Sequence, residues 1–294
     1  GYNQEEVQHI YLLIERFADY GFNRSHAVAY SKIAYQLAYL KAHFPLAFYV
    51  AILRSASSQK EELYLKELLK ENIKILGPAI NQSYRNYYMD SEGIRLGFNQ
   101  VKRLKRGFAE EIITKRYEKG LYRDFIDFCK KIDPVFLSPE ALEILIHVGA
   151  FDEFAQSRGT LLQSIETILT NIESGQFTVT LGEIFSPHYI ESKDLTVLEK
   201  MEQEYEYTDF IFTDHPSGFY REIRMYNDIR YIGEGYPGLT ASLLVTIHDI
   251  KGIQTKNGEP MAFVTSSDPS GFTNLTLFPR VYRQYIKKIE IGKT

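Results

Sequence analysis

Apolar residues recur at helical spacing from the N-terminus to about Asp209, and strand-like runs take over only after about Leu239. One short strand pattern, between Ile73 and Phe98, interrupts the first regime. Helices gathered first and strands gathered last exclude an alternating βαβ fold and specify an α+β chain. Within the helical part, Asn3-x-x-Glu6 resembles a capping box opening a helix that carries Ile10, Leu13, Ile14 and Phe17, with Gly21 to end it. A second helix, from about Ser25 to His43, is apolar almost all round, and such helices are buried on most sides. Its polar exceptions Ser25, Lys32 and Gln36 share one narrow stripe.

Leu46–Arg54 and Glu61–Glu71 read as further helices, then Ile73–Leu76 as a strand before the breaker Gly77-Pro78. Tyr84–Met89 and Ile94–Phe98 flank Asp90-Ser-Glu-Gly93 as a hairpin. Helices follow at Phe108–Lys119, Tyr122–Lys131, Ser138–His147, Gly159–Glu173 and, after an aperiodic stretch, Leu195–Asp209. His215-Pro216 marks a turn before another helix. Leu239–Ile250, Met261–Thr265 and Leu275–Phe278 read as three strands joined by an Asn257-Gly258 turn and an Asp268–Gly271 turn, and Arg280–Lys288 as a helix. Three antiparallel strands and a helix open an OB-fold barrel, which should have five strands. A three-stranded piece leaves an open edge.

No apolar run reaches the roughly eighteen residues of a membrane span. The start, Gly1-Tyr2-Asn3, has no basic region followed by an apolar run, so a signal peptide is not expected, and the helix-forming opening suggests a piece of a longer chain. The single cysteine, Cys129, allows no internal disulfide and no cysteine-rich zinc site, and suits a reducing cytoplasm. The net charge of −4 conceals a split. From Asn99 to Lys131 ten Lys/Arg oppose five Asp/Glu, whereas from Ser186 to Asp214 two Lys oppose eight Asp/Glu. Local polyanion binding needs such patches, although two solvated helix faces would look the same.

No catalytic constellation, Walker loop, H-E-x-x-H or G-x-S-x-G occurs, and the seven histidines form no ligand pattern. The acid pairs Glu110-Glu111 and Glu61-Glu62 read as salt-bridged surface. Asn23, Arg24, Ser25 and His26 cluster at a helix start, where free N–H groups and a partial positive charge suit phosphate. The alternative is that Asn23 or Ser25 simply caps the helix. Lys102, Arg103, Lys105 and Arg106 lie between a hairpin and a helix, and Ile146–Phe151, with His147 and Gly149, follows another helix. Two tandem helical hairpins could hold duplex phosphates without reading sequence, and ordinary helix joints with solvated lysines are the alternative. Leu181-Gly182-Glu183-Ile184-Phe185 is an apolar peptide that could anchor in a partner's groove or in the core.

Phe17–Tyr30, continuing through Tyr35–Pro45, together with Gly77–Asn81, Gly149–Asp152 and Asp214–Pro216 in that order, resembles the C-family bacterial replicative DNA polymerases, the family of the DNA polymerase III alpha subunit. The resemblance covers essentially the whole chain. It implies the end of the fingers domain at 1–80, a duplex- and clamp-binding domain with tandem helix-hairpin-helix elements at 81–215, and a linker with the start of an OB domain at 216–294. It further implies nucleotide or template contact at Asn23, Arg24, Ser25 and His26, and duplex contact at Lys102, Arg103, Lys105, Arg106, His147 and Gly149. Sliding-clamp docking falls on Leu181–Phe185, with Ile184 and Phe185 as anchors. The implied partners are primer-template DNA, the clamp, other replisome subunits and single-stranded template. Template-directed synthesis would belong to a palm outside this piece, with its aspartates and Mg2+, so the piece alone would be inactive and hold no cofactor. Two departures stand out: Arg103-Leu104-Lys105 replaces a usual Gly-Val-Gly, shifting contact toward side chains, and Leu181 replaces a usual Gln. The competing readings are a non-enzymatic OB/helical nucleic-acid module and an assembly module built on the acidic helix.

Overall fold

The computed structural model describes residues 3–19, 24–71, 73–173 and 189–294. The chain forms two compact units, Gly1–Ile52 and Leu53–Thr294. The first holds helices α1 (Gln4–Asp19) and α2 (Arg24–His43) and most of α3 (Pro45–Ser55). Asn3 caps α1 by accepting the Glu5 N–H at 3.2 Å. Gly21, expected to stop this helix, lies outside the described residues. The expectation of a buried α2 is overturned: none of its residues is buried, and Tyr35 is 70% exposed. Burial requires a second apolar layer, and no described residue of this unit supplies one, since Ile14 and Leu13 of α1 are exposed as well.

The second unit begins with α4 (Ser58–Lys70) and a small sheet of β1 (Ile75–Leu76), β2 (Tyr88–Met89) and β3 (Ile94–Arg95). The hairpin β2–β3 is antiparallel, as its sequence requires, and β1 joins β3 in parallel. Helices α5 (Phe108–Lys119), α6 (Phe125–Lys131), α7 (Pro139–His147) and α8 (Arg158–Glu173) follow. Asp124 and Ser138 cap α6 and α7 by accepting the N–H groups of Asp127 and Ala141, so both helices start after the capping residue. Their inward faces join one core centred on Phe125, Phe128 and Phe151, with Phe125 edge-on to Phe151 at 4.9 Å. The buried Cys129 thiol belongs to that core, and burial pushes its pKa up.

Asn81 staples this core to the preceding segment. Its side chain donates to the Tyr122 carbonyl and accepts the Tyr122 N–H, each at 2.8 Å, while the Ile80 N–H donates to Ala150 O. Arg116, counted among the cations of the basic stretch, is buried with its guanidinium on the carbonyls of Ile80 and Ser83.

The acidic helix α9 (Val197–Thr208) opens on a true capping box, Thr196 with Glu199. A short α10 (Arg221–Tyr226) leads to β4 (Thr246–Gln254), β5 (Pro260–Asp268) and β6 (Gly271–Leu277), an antiparallel meander, and then to α11 (Pro279–Tyr285). The Asn257-Gly258 turn sits between β4 and β5, with Gly258 at φ 76°. β4 begins later than expected, at Thr246, and its outer edge is partly paired: Ile247 exchanges backbone hydrogen bonds with Gly292 and Lys293. The fold class is therefore α+β, mainly helical, with a partial barrel-like sheet at the end.

Candidate nucleic-acid interface

The first helical hairpin, Val101 to Gly107, joins the small sheet to α5. Arg103 adopts φ 63°. A non-glycine residue pays about 1 kcal/mol for that region; the turn keeps its left-handed geometry although arginine occupies it. Gly107, at φ 87°, is the N-cap of α5, and no side chain caps the helix. The backbone N–H groups of Lys105, Arg106 and Gly107 donate to nothing among the described residues. They border a recess of about 340 Å³ lined also by Phe98, Val101 and Leu104. Open donors at the positive end of a twelve-residue helix are suited to an anion.

The four cations beside this recess are differently engaged. Arg106 is exposed and has no partner among the described residues. Lys105 Nζ donates to the Val135 carbonyl at 2.9 Å and lies over the Phe136 ring. Lys102 pairs with Asp209 at 2.6 Å and Arg103 with Glu206 at 3.0 Å. The basic and acidic stretches of the sequence thus meet here, in part, rather than both facing water.

At the second hairpin, α7 ends in a Schellman motif: Ala150 N–H reaches Leu145 O, and Gly149 N–H reaches Ile146 O. Gly149 takes φ 75°, and a Cβ there would strike the Arg158 guanidinium and the Asp152 carboxylate. Arg158, almost fully buried, donates to the His147 carbonyl at 2.9 Å and pairs with Asp152 at 2.5 Å and with Glu204 at 2.8 Å. Burial opposes its charge, but the two carboxylates outweigh this and raise its pKa. Glu204, wholly buried, also accepts the N–H groups of Phe212 and Thr213. His147 stacks on Tyr207 at 6.0 Å, and burial together with the Arg158 charge lowers its pKa. The α8 start is covered: Asp194 accepts the Gly159 N–H, and a Cβ on Gly159 would collide with the Lys193 carbonyl. Open backbone donors are therefore found at the first hairpin, while the second is closed by Arg158 and the acidic segment.

Glu110 and Glu111 behave as structural acids. Glu110 pairs with Arg85 at 2.7 Å and Glu111 accepts the Asp133 N–H. Of the helix-start cluster, Asn23 lies outside the described residues; Arg24, Ser25 and His26 form the exposed first turn of α2, with His26 against Tyr30 at 4.2 Å. Leu181, Gly182, Glu183, Ile184 and Phe185 lie outside the described residues. Among the described residues no group of three or more His, Cys, Asp or Glu side chains could hold a metal, and no helix is long and apolar enough to cross a membrane. Sequence reasoning missed Arg158 and Glu204, whose pairing spans distant segments and leaves no local signal.

Residues 72–161, which hold both hairpins, match the family model described as "Helix-hairpin-helix motif". Over almost its full length the chain is similar to proteins named DNA polymerase III subunit alpha. It is 38% identical to that of Halalkalibacterium halodurans, with 97% of this chain and 26% of the relative aligned. It is 36% identical to that of Bacillus subtilis strain 168, with 96% and 26% aligned, and 36% identical to that of Staphylococcus aureus strain MRSA252, with 97% and 27% aligned. The chain spans about a quarter of the length of these relatives.

Proposed function

We propose that this chain is a region of a replicative DNA polymerase alpha subunit that grips primer-template DNA through its helix-hairpin-helix core. The observation that carries the reading is the first hairpin: three backbone N–H groups and Arg106, all without partners among the described residues, and a recess at the α5 start, within the stretch matching the helix-hairpin-helix motif. Such a site takes a phosphate and ignores base identity. In the longer protein, synthesis is DNA-directed nucleotidyl transfer at a palm outside this region, and the region alone is inactive. Residues 1–80 serve as the end of the fingers, with Asn23, Arg24, Ser25 and His26 near nucleotide or template. Residues 81–215 hold the duplex through Lys102, Arg103, Lys105 and Arg106 of the first hairpin, His147 and Gly149 being closed over by Tyr207 and Arg158, and dock on the clamp through Leu181–Phe185. Residues 216–294 begin an OB domain for single-stranded template. Other replisome subunits are further partners, and the setting is the cytoplasm.

The test is anisotropy of a fluorescein-labelled duplex titrated with the full-length protein over a range of salt. R106Q should flatten the slope of log K against log salt by about 0.9, one phosphate contact. An unchanged slope would show that Arg106 and its recess face water in the complex, and the hairpin reading would be lost.

A further inference from the structure

The C-terminal turn of α9 presents to the first hairpin what a DNA backbone would. The Lys102 N–H donates to the Tyr207 carbonyl at 2.8 Å, an acceptor at the end of the helix. Lys102 Nζ and Arg103 Nη1 then meet the carboxylates of Asp209 and Glu206. The Arg103 guanidinium also lies over the Tyr207 ring at 5.5 Å. One carbonyl oxygen, two carboxylates and the negative end of a helix dipole reproduce the acceptors of a phosphodiester strand. Arg103 and Asp209 both hold φ 63°, so both ends of the contact sit in the left-handed region.

We infer that the end of α9 is an intrachain mimic of the DNA backbone that competes with duplex for Lys102 and Arg103. The inference rests on the reading of this hairpin as a duplex contact. The ion pairs are open to solvent, with side chains 46% and 65% exposed in one and 61% and 44% in the other. Pairs this exposed hold weakly and yield to a polyanion. Competition does not require α9 to leave: Glu204, one turn earlier, stays buried on Arg158. The clasp therefore lowers duplex affinity and keeps the hairpin from holding stray polyanions, while a phosphate strand arriving in register displaces two carboxylates.

The experiment measures duplex affinity against salt for the full-length protein, E206Q/D209N, K102Q/R103Q and the fourfold variant, using a fluorescein-labelled duplex. E206Q/D209N should bind about two- to thirty-fold tighter at low salt, with a slope steeper by up to about 1.8, two phosphates gained. K102Q/R103Q should weaken binding, and the fourfold variant should show no tightening relative to K102Q/R103Q. If E206Q/D209N changes neither affinity nor slope while K102Q/R103Q weakens binding, the clasp is refuted and the hairpin reading stands. Tightening that persists in the fourfold variant would mean a general charge effect and would also overturn the clasp. If R106Q and K102Q/R103Q both bind as the parent does, the hairpin reading itself is lost. E206Q alone, should the double variant misfold, is expected to give about half of the slope change.

Discussion

Replacing Glu204 by Ala should unfold the joint between the second hairpin and the acidic helix. The Glu204 side chain is wholly buried and that of Arg158 is only 5% exposed. Removing one member of a buried ion pair costs about 3–5 kcal/mol, and since Arg158 keeps its pairing with Asp152 at 2.5 Å the electrostatic loss falls at the lower end of that range. Glu204 Oε2 also accepts the Phe212 and Thr213 N–H groups at 2.7 and 2.8 Å, and Oε1 accepts the Thr213 hydroxyl. These groups are half-buried, so water replaces part of what they lose, and the net cost should fall near 4 kcal/mol. Urea unfolding followed by tyrosine fluorescence suits a chain with 22 Tyr and no Trp. With a urea slope of about 3 kcal/mol/M the midpoint should drop by roughly 1.3 M. The double variant Arg158→Met/Glu204→Leu should unfold later than Glu204→Ala, because it leaves no stranded charge. A midpoint shift below about 0.3 M for Glu204→Ala, or a double variant weaker than the single, would refute the reasoning.

Acid should loosen the sheet. His215 Nδ1 accepts the Ser217 N–H, so its Nε2 proton goes to Ser267 Oγ, whose own proton serves His248 Nε2. Burial, then His248 and Arg224, push the His215 pKa down to about 4, and burial lowers that of His248. The unfolded chain thus binds more protons than the folded one between about pH 4 and 6.5. Stability from this group is complete above that window and falls as pH drops through it, by about 2 kcal/mol after allowing for solvent screening. Urea midpoints at pH 7 and pH 5 measure it, and His215→Gln should flatten the difference; an equal difference in that variant would remove His215 from the account. Gly149→Ala should cost about 2–3 kcal/mol in thermal unfolding, because its left-handed φ and the Arg158 guanidinium both reject a Cβ; a loss below about 0.5 kcal/mol would show that Arg158 moves aside.

Local chemistry made most elements readable. Ser138, Thr196 and Asp124 each start a helix by accepting the N–H three residues on, and the Asn257-Gly258 turn needs only its own two residues to reverse the chain. The second hairpin shows its turn glycine, Gly149, in the sequence, whereas the first carries Arg103-Leu104-Lys105 in place of glycines, and residue type alone left ordinary helix joints open there. Burial was not always readable: α2 carries an apolar pattern on every side, yet none of its residues is buried.

The pairing of charges lay wholly beyond the sequence. The opposed basic and acidic stretches were visible as composition, and composition cannot say whether two runs a hundred residues apart face water, DNA or each other. Only the folded chain brings Asp209 to Lys102, Glu206 to Arg103 and Glu204 to Arg158. Capping and turn geometry depend on a few neighbouring bonds and are settled by residue type. Electrostatic pairing depends on distance in space, and that is decided when the core around Phe125, Phe128 and Phe151 packs and fixes where α9 must end.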